Sequence, residues 1–340
     1  MKLISKALLA AAGMAALSWS PAQALEPGAG VATKAGVLIG ASAGVPPPGI
    51  YMINQVFTYQ ANLTGPGLSA LAAGTNGHVG SHADVDVQAF LFVPGWTVAG
   101  AQVDFVLAQP WVDASAGAPL NVQVSGMHNT IFIGELAWQN IANTGFAFKT
   151  GLSVIAPTGT QTGPTGLGNI GVPYWTFQPE AIFSYLKGGW NLTAALYEEF
   201  NTANSITGYT GGDILHADFT ATKTIGKWTL GPVAYYYGQV SNDSCSSVTC
   251  LATYGGAAGV AGLVNQRFNV WAVGGLVAYD FGPAALSVWA TQEVSAKASN
   301  NAFAAAADPS TVAQGFTVFA TLSYRIWGPE EAPKPAMFHK

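Results

Sequence analysis

The chain has 340 residues, of which 50% are hydrophobic and only 9% are charged, whereas soluble domains carry about 25% charged residues. Its formal net charge is −5, with 12 Lys and Arg against 17 Asp and Glu, so it lacks the basic surface that binds nucleic-acid phosphates. This composition excludes a disordered chain and a nucleic-acid partner. The 41 Gly, 10 Trp, 12 Tyr and 17 Phe are typical of short strands, tight turns and aromatic belts.

The N-terminus has the pattern of a secretory signal peptide. Lys2 and Lys6 precede an apolar run over 7–17, and the A-x-A cleavage site is Ala22-Gln23-Ala24. The run is too short for a transmembrane helix, which needs about 20 apolar residues. We therefore predict a signal peptide over 1–24 and export of the mature chain.

The segment 25–49 is rich in Gly and Ala and ends in Val45-Pro46-Pro47-Pro48-Gly49. It could fold back as a plug or remain a flexible periplasmic leader. The sequence leaves both alternatives open.

Twelve segments with period-two alternation follow, each close to the 9 to 11 residues or so that cross a bilayer in a barrel strand. They span 50–62, 83–95, 98–110, 130–139, 145–155, 174–186, 190–201, 212–223, 228–240, 267–280, 284–296 and 314–327. Short and long connections alternate, as periplasmic turns and extracellular loops do. The sequence therefore predicts an all-β fold: a transmembrane antiparallel β-barrel of about twelve strands, of bacterial outer-membrane type, over 50–327, with a periplasmic tail at 328–340.

The tryptophans support this topology. Five are predicted at periplasmic strand ends and two at extracellular ends, namely Trp96, Trp138, Trp190, Trp228 and Trp327, and then Trp111 and Trp175. Interfacial aromatic girdles lie at these levels. Trp271 and Trp289 fall in mid-strand.

Alternation also predicts which side chains face the lumen. In 83–93 it places Asp84, Asp86, Phe90 and Phe92 inside, and in 212–223 it places His216 and Asp218 inside. The same argument sends Asp104, Glu135, Lys149, Glu180, Glu199, Glu293 and Arg325 inward, while the faces within 130–139, 228–240 and 267–280 are ambiguous. Such a lumen tolerates cations unless its charges pair, and the alternative is that these groups only stabilise the barrel interior.

Few motifs indicate site chemistry. His78, His82, Asp84 and Asp86 are a weak candidate set for a divalent cation at the first extracellular loop. A lipid hydrolase would use His216 and Asp218, but no Gly-x-Ser-x-Gly motif accompanies them in 212–223. No cofactor motif is present, so we expect no cofactor. Cys245 and Cys250, in a predicted extracellular loop, are expected to form a disulfide.

Two prolines, Pro179 and Pro232, fall inside predicted strands. A missing N–H weakens the ladder and favours a bulge or kink. One hypothesis is that one of them opens a lateral exit to lipid, with Phe90 and Phe92 as an apolar track; the alternative is axial passage.

Several motifs in order resemble one family. They are Pro46-Pro47-Pro48-Gly49-Ile50-Tyr51, Ala156-Pro157-Thr158-Gly159, Tyr174-Trp175-Thr176-Phe177-Gln178-Pro179-Glu180, Glu199-Phe200-Asn201, Asn204 to Gly212, Gly238-Gln239 and Asn242-Asp243-Ser244. Over 44–327 the chain resembles the outer-membrane proteins involved in the meta-pathway of phenol degradation. The resemblance implies a β-barrel and transport of aromatic or other hydrophobic compounds. The loop Cys245 to Cys250 and the tail 328–340 depart from it.

The sequence thus predicts an outer-membrane channel that passes small hydrophobic or aromatic compounds by passive diffusion, with outer-membrane lipid and such solutes as partners. A barrel of twelve strands lies between filled eight-stranded barrels and open porins, so its lumen can hold a small solute. The alternatives are a structural or adhesive barrel with a closed lumen and a membrane-embedded lipid hydrolase.

Overall fold

The computed structural model describes residues 31–68, 77–118, 120–161, 169–245, 247–248, 250, 266–300, 308 and 310–329. The predicted signal peptide and residues 330–340 of the predicted tail lie outside this part of the chain. Within the described ranges, no helix is long and apolar enough to cross a membrane.

Sixteen strands follow one another in the described part of the chain. They are β1 (Gly49–Thr64), β2 (Gly80–Val93), β3 (Thr97–Val98), β4 (Ala101–Ala116), β5 (Val122–Met127), β6 (Thr130–Ile141), β7 (Phe146–Ala156), β8 (Thr176–Tyr185), β9 (Trp190–Asn201), β10 (Tyr209–Thr210), β11 (Ile214–Ile225), β12 (Trp228–Gln239), β13 (Ser244–Cys245), β14 (Gln266–Asp280), β15 (Ala284–Asn300) and β16 (Val312–Trp327). All but β3, β5, β10 and β13 coincide with the twelve predicted strands.

These twelve long strands form a closed antiparallel barrel. Each pairs with the next long strand in the chain, and β1 also pairs with β16, from Ile50 opposite Trp327 to Thr64 opposite Val312. Because the sheet closes, the wall has no free edge and its backbone groups bond within it. The predicted twelve-stranded barrel is confirmed.

Several strands are longer than predicted at the end that carries the long connections. β1, β4 and β16 have 16 residues each and β15 has 17, more than the roughly 9 to 11 needed to cross the hydrocarbon. The short strand β5 extends the sheet at this end by pairing with β4. In the loops, β10 and β13 form a separate two-stranded sheet that the alternation did not predict.

The outer surface carries the aromatic side chains expected at interfaces. Trp96, Trp190, Trp228 and Trp327 are exposed at the short-turn end, and Trp111 and Trp175 at the loop end. Of the two mid-strand tryptophans, Trp271 is exposed, whereas Trp289 is buried and faces inward.

A closed barrel should resist SDS until it is heated, since its ladder bonds are all internal. We expect unheated samples to migrate differently from boiled ones in SDS gels and to give a β-type circular dichroism spectrum. Identical mobility together with a helical spectrum would contradict the barrel.

Candidate functional site in the barrel lumen

Residues 31–48, called here the N-terminal segment, lie inside the barrel. Thr33 Oγ1 donates to Gln178 Oε1 of β8 at 3.3 Å, and Gln55 Nε2 of β1 donates to the Val37 carbonyl at 3.2 Å. In the ring of strands, β1 and β8 lie on opposite sides. A segment that contacts both from within a closed wall must cross the lumen.

Side chains of the wall accept the backbone N–H groups of this segment. The Asp218 carboxylate accepts from the Gly36 and Leu38 N–H groups at 2.9 and 3.0 Å. Farther along, Thr220 Oγ1 accepts from Gly40 N and Ser184 Oγ from Ala43 N, each at 2.9 Å. A buried segment with no strand partner needs such acceptors. The polar inward rows of β8 and β11 supply them.

The apolar side of the segment packs on aromatic residues. Ile39 is buried in a cluster that includes Tyr235, Leu276 and Trp289. Trp289 Nε1 donates to the Gly36 carbonyl at 3.2 Å, and its ring stacks on Phe319 at a centroid distance of 4.9 Å. Gly36 has φ +90°, and a Cβ there would lie 2.9 Å from the Tyr235 ring. Only glycine fits this turn without strain.

Nine of the thirteen residues predicted to line the lumen face inward. They are Asp104, Glu135, Lys149, Glu180, Glu199, His216, Asp218, Glu293 and Arg325. Glu135 is partly buried and the other seven of the first eight are buried, whereas Arg325 lies at the short-turn rim, where its Nη2 donates to the Pro48 carbonyl at 2.5 Å. Eight of these nine side chains pair with each other or with the N-terminal segment, whereas Glu180 Oε1 has no hydrogen-bond partner among the described residues.

The four lumen residues predicted on β2 face outward, so that prediction is wrong. Phe90 and Phe92 are 43% and 39% exposed, opposite the exposed Leu107 and Phe105 of β4. The inward residues are their odd-numbered neighbours, as with Val85 opposite the inward Phe57.

Asp84 and Asp86 share the outer face with these phenylalanines, opposite Asp113 and the exposed Trp111. Tryptophan marks the interface, and carboxylates at or beyond that level meet polar surroundings instead of hydrocarbon. The rule that polar side chains point inward therefore does not hold at this end of β2, and the apolar track proposed for Phe90 and Phe92 is absent.

One charge cluster joins β4, β6 and β7. Lys149 Nζ lies 3.1 Å from Glu135 Oε2 and 3.3 Å from Asp104 Oδ2, and all three side chains are largely buried. Gly151 provides room, since a Cβ there would lie 2.9 Å from Glu180 Oε1 and 3.0 Å from Glu135 Cγ. This cluster brings the Lys149 cation together with two predicted carboxylates, and a third, Glu180, lies near them.

A second cluster surrounds His216. Its ring stacks between Tyr197 and Tyr237, with centroids 4.6 and 5.9 Å away, and its Nε2 lies 3.1 Å from Glu199 Oε1. The same Glu199 oxygen accepts from Thr33 N at 3.1 Å. His216 is thus paired with Glu199, whereas the hydrolase hypothesis required Asp218.

A third cluster surrounds Lys34 of the N-terminal segment, which the sequence did not single out. Its Nζ lies 3.0 Å from Tyr235 OH and 3.3 Å from Glu293 Oε1. The ring centroids of Tyr59, Tyr235 and Tyr237 lie 4.6, 4.7 and 5.6 Å from Nζ. The three tyrosines fall in strands where no charge pattern marked the inward face.

Pro179 and Pro232 lie within β8 and β12, on the outer face. Each interrupts the ladder on one side, where β8 meets β9 and where β12 meets β11, and the register is the same before and after the interruption. The expected bulge is absent from these described pairs, and no displacement of the wall marks a lateral exit.

The loop end is organised around Asp243. Its carboxylate accepts from Tyr209 OH and Gly212 N at 2.6 Å and from Gln239 Nε2 at 2.8 Å, and burial raises its pKa to about 7. Three of the motifs quoted for the family resemblance meet here. The residues of these motifs therefore stabilise the structure of the loops.

Cys245 and Cys250 form a disulfide in this loop, as predicted. At the first loop, His82 Nε2 lies 3.0 Å from Asp84 Oδ2. The described residues contain no group of three or more side chains that could hold a metal ion, so the candidate set that adds His78 and Asp86 gains no support.

We expect thiol reagents to leave both cysteines unmodified in intact cells until a reductant is added, because disulfide sulfur does not react as a thiol. Mass spectrometry of the loop peptide would measure the modification. Quantitative labelling without reduction would contradict the bond.

Two solved outer-membrane structures are similar to this chain. The chain is similar to a COG4313 outer membrane channel from Pseudomonas putida F1, with a TM-score of 0.65, 12% identity, and coverage of 84% of this chain and 98% of that one. The translocator domain of the autotransporter NalP from Neisseria meningitidis gives a TM-score of 0.45 and 11% identity, with coverage of 83% and 90%. The likeness to the Pseudomonas putida channel, at 12% identity, concerns the barrel fold alone.

None of the curated proteins matches the chain. A family model described as "Putative MetA-pathway of phenol degradation" matches residues 60–307, which contain ten of the twelve barrel strands and part of β1. The chain, a closed twelve-stranded barrel of outer-membrane type, therefore belongs to this family.

Proposed function

We propose that this protein is an outer-membrane channel for small hydrophobic or aromatic compounds, that these diffuse passively along the barrel axis, and that the N-terminal segment acts as its plug. The observation that carries the proposal is how residues 31–48 occupy the lumen. They are held by side-chain hydrogen bonds and apolar contacts, and no ladder joins residues 31–48 to the wall. Their displacement would leave the twelve-stranded wall intact.

The wall beneath the segment suits an aromatic solute. Trp289, Phe319 and Phe57 form an inward aromatic row on β15, β16 and β1, with successive centroids 4.9 Å apart. Aromatic pairs in such geometry contribute about 0.5–1.5 kcal/mol beyond the burial of their surface. A solute ring entering the lumen could stack here once the segment moves.

A reversible lock tests whether movement of the segment is needed. Ala43 N and Ser184 Oγ are 2.9 Å apart, so cysteines at these positions should bridge the segment to β8. We would combine Ala43→Cys and Ser184→Cys with Cys245→Ser and Cys250→Ser, and measure uptake of labelled toluene by cells before and after reduction.

Uptake should fall to the level of cells without the protein when the bridge is oxidised, and recover on reduction. The matched control carries Cys245→Ser and Cys250→Ser alone and should not respond to reductant. Equal uptake in the bridged and reduced states would contradict a plug, and no uptake in any state would favour a closed structural barrel.

A further inference from the structure

The lumen contains a cage around a cation. Four side chains from three strands surround the Lys34 ammonium: Tyr59 of β1, Tyr235 and Tyr237 of β12, and Glu293 of β15. All four are buried. Aromatic faces attract cations, and more strongly where water is excluded.

The wall builds this cage without help from the N-terminal segment. Glu293 Oε1 accepts from Tyr235 OH at 2.7 Å, while Glu293 Oε2 accepts from Tyr59 OH at 2.8 Å and from Gly315 N at 2.7 Å. These bonds fix the carboxylate and two of the rings whether or not Lys34 is present. Among the described residues, the buried Tyr237 hydroxyl has no hydrogen-bond partner, so the cage retains an unused polar group.

With the Lys34 side chain removed and the rest of the N-terminal segment in place, the cage would hold a buried carboxylate with three neutral donors and no cation. Such a carboxylate is strongly disfavoured unless a positive charge pairs with it. The vacated cage therefore selects for positive charge, and its rings select for an organic cation.

We propose that this cage is a binding site for a primary organic ammonium group, R–NH₃⁺, and that Lys34 is its intramolecular occupant. A primary ammonium fits because Lys34 Nζ approaches both Tyr235 OH and Glu293 Oε1 within hydrogen-bond distance, which a quaternary ammonium without N–H groups could not exploit. The proposal rests on the proposed function in one respect: in the unmodified protein a solute reaches the cage only after the segment leaves.

Removing the occupant tests the site directly. Benzylammonium is titrated by calorimetry into the detergent-solubilised full-length protein and its Lys34→Ala variant, with benzyl alcohol as the neutral match. We expect benzylammonium to bind about tenfold or more tightly to the variant, because a tethered competitor acts at a millimolar or higher effective concentration. Benzyl alcohol should show no such gain. Lys34→Met, which refills the cage with an uncharged chain but leaves Glu293 without a cation, should gain less benzylammonium affinity than Lys34→Ala.

Two further variants in the Lys34→Ala background examine the cage walls. Glu293→Gln should weaken benzylammonium binding roughly tenfold to a hundredfold, since it removes a charge-assisted bond. Tyr59→Leu, which keeps the carboxylate and removes one ring, keeps the test informative if Glu293→Gln fails to fold, and should weaken binding of the cation more than that of benzyl alcohol. Folding of each variant is verified by its gel mobility before and after heating.

Equal benzylammonium affinity with and without Lys34, or equal gains for the alcohol and the ammonium, would overturn the proposal. Toluene uptake is measured in the same variants. If uptake is absent while ammonium binding follows the expected pattern, the proposed channel function fails and the binding site stands.

Discussion

Deleting residues 31–44 should raise the single-channel conductance of the barrel severalfold in planar bilayers. These residues cross the lumen between β1 and β8, so their removal opens the cross-section that they occupy. The deletion keeps residues 45–48, where Pro47 and Pro48 carbonyls accept from Tyr51 OH and Arg325 at the rim. The wall should stay folded, because its ladder is independent of the segment and water can solvate the exposed Asp218, Glu199 and Glu293.

A single substitution and its control test the same effect on conductance in a smaller step. Asp218→Ala removes the acceptor of the Gly36 and Leu38 N–H groups, and each lost bond should weaken the segment's hold by about 0.5–1.5 kcal/mol. We expect transient openings to the conductance of the deletion variant. Asp86→Ala, on the outer face of β2, is the matched control and should leave the current unchanged. A deletion variant that conducts like the unmodified barrel would show that the segment does not limit passage.

Replacing Lys149 by Met should destabilise the barrel by about 3–5 kcal/mol, because it leaves the buried carboxylates of Asp104 and Glu135 without their cation. The shift would be measured as the urea midpoint of unfolding, followed by gel mobility without heating. Lys227→Met, at the exposed turn between β11 and β12, is the control and should change stability by less than about 0.5 kcal/mol.

The double variant Asp104→Asn with Lys149→Met separates charge from packing. It removes one of the two carboxylates that have lost their cation, so it should recover part of the lost stability. The double-mutant cycle measures the coupling between the two side chains. Loss of equal size in the single and double variants would mean that Lys149 acts through packing alone.

The barrel was predictable because crossing a membrane imposes a simple pattern on each strand. Twelve alternating segments and the tryptophans at their ends sufficed for strand number and order. Inward charges on β4, β6, β7, β8, β9, β11 and β15 were also predicted correctly, since a charge within the hydrocarbon layer must point to the lumen.

Alternation did not predict the inward face correctly where both faces of a strand carry similar side chains. In β2 both faces of the lower half are apolar, with Phe90 and Phe92 outside and Ala89 and Leu91 inside. The carboxylates of Asp84 and Asp86 suggested the wrong face because they lie at or beyond the interface. For Tyr235, Tyr236 and Tyr237 alternation carries no information, since all three residues are identical.

Strand periodicity could not predict that the N-terminal segment fills the lumen. Residues 31–48 form no regular element, and their partners are set by the closed barrel. Lys34 and Glu293, for example, are 259 residues apart in sequence. Only the folded barrel brings this lysine next to a carboxylate with which it can pair.

That separation also determines the order in which the protein can assemble. The partners of the N-terminal segment lie on β1, β8, β9, β11, β12 and β15, so they converge only when the ring of strands nears closure. Contacts between such distant residues form late because the intervening chain must first be ordered. The N-terminal segment, although it precedes every strand in sequence, should therefore be the last part to acquire its native contacts, and a filled lumen would report that β1 and β16 have already joined.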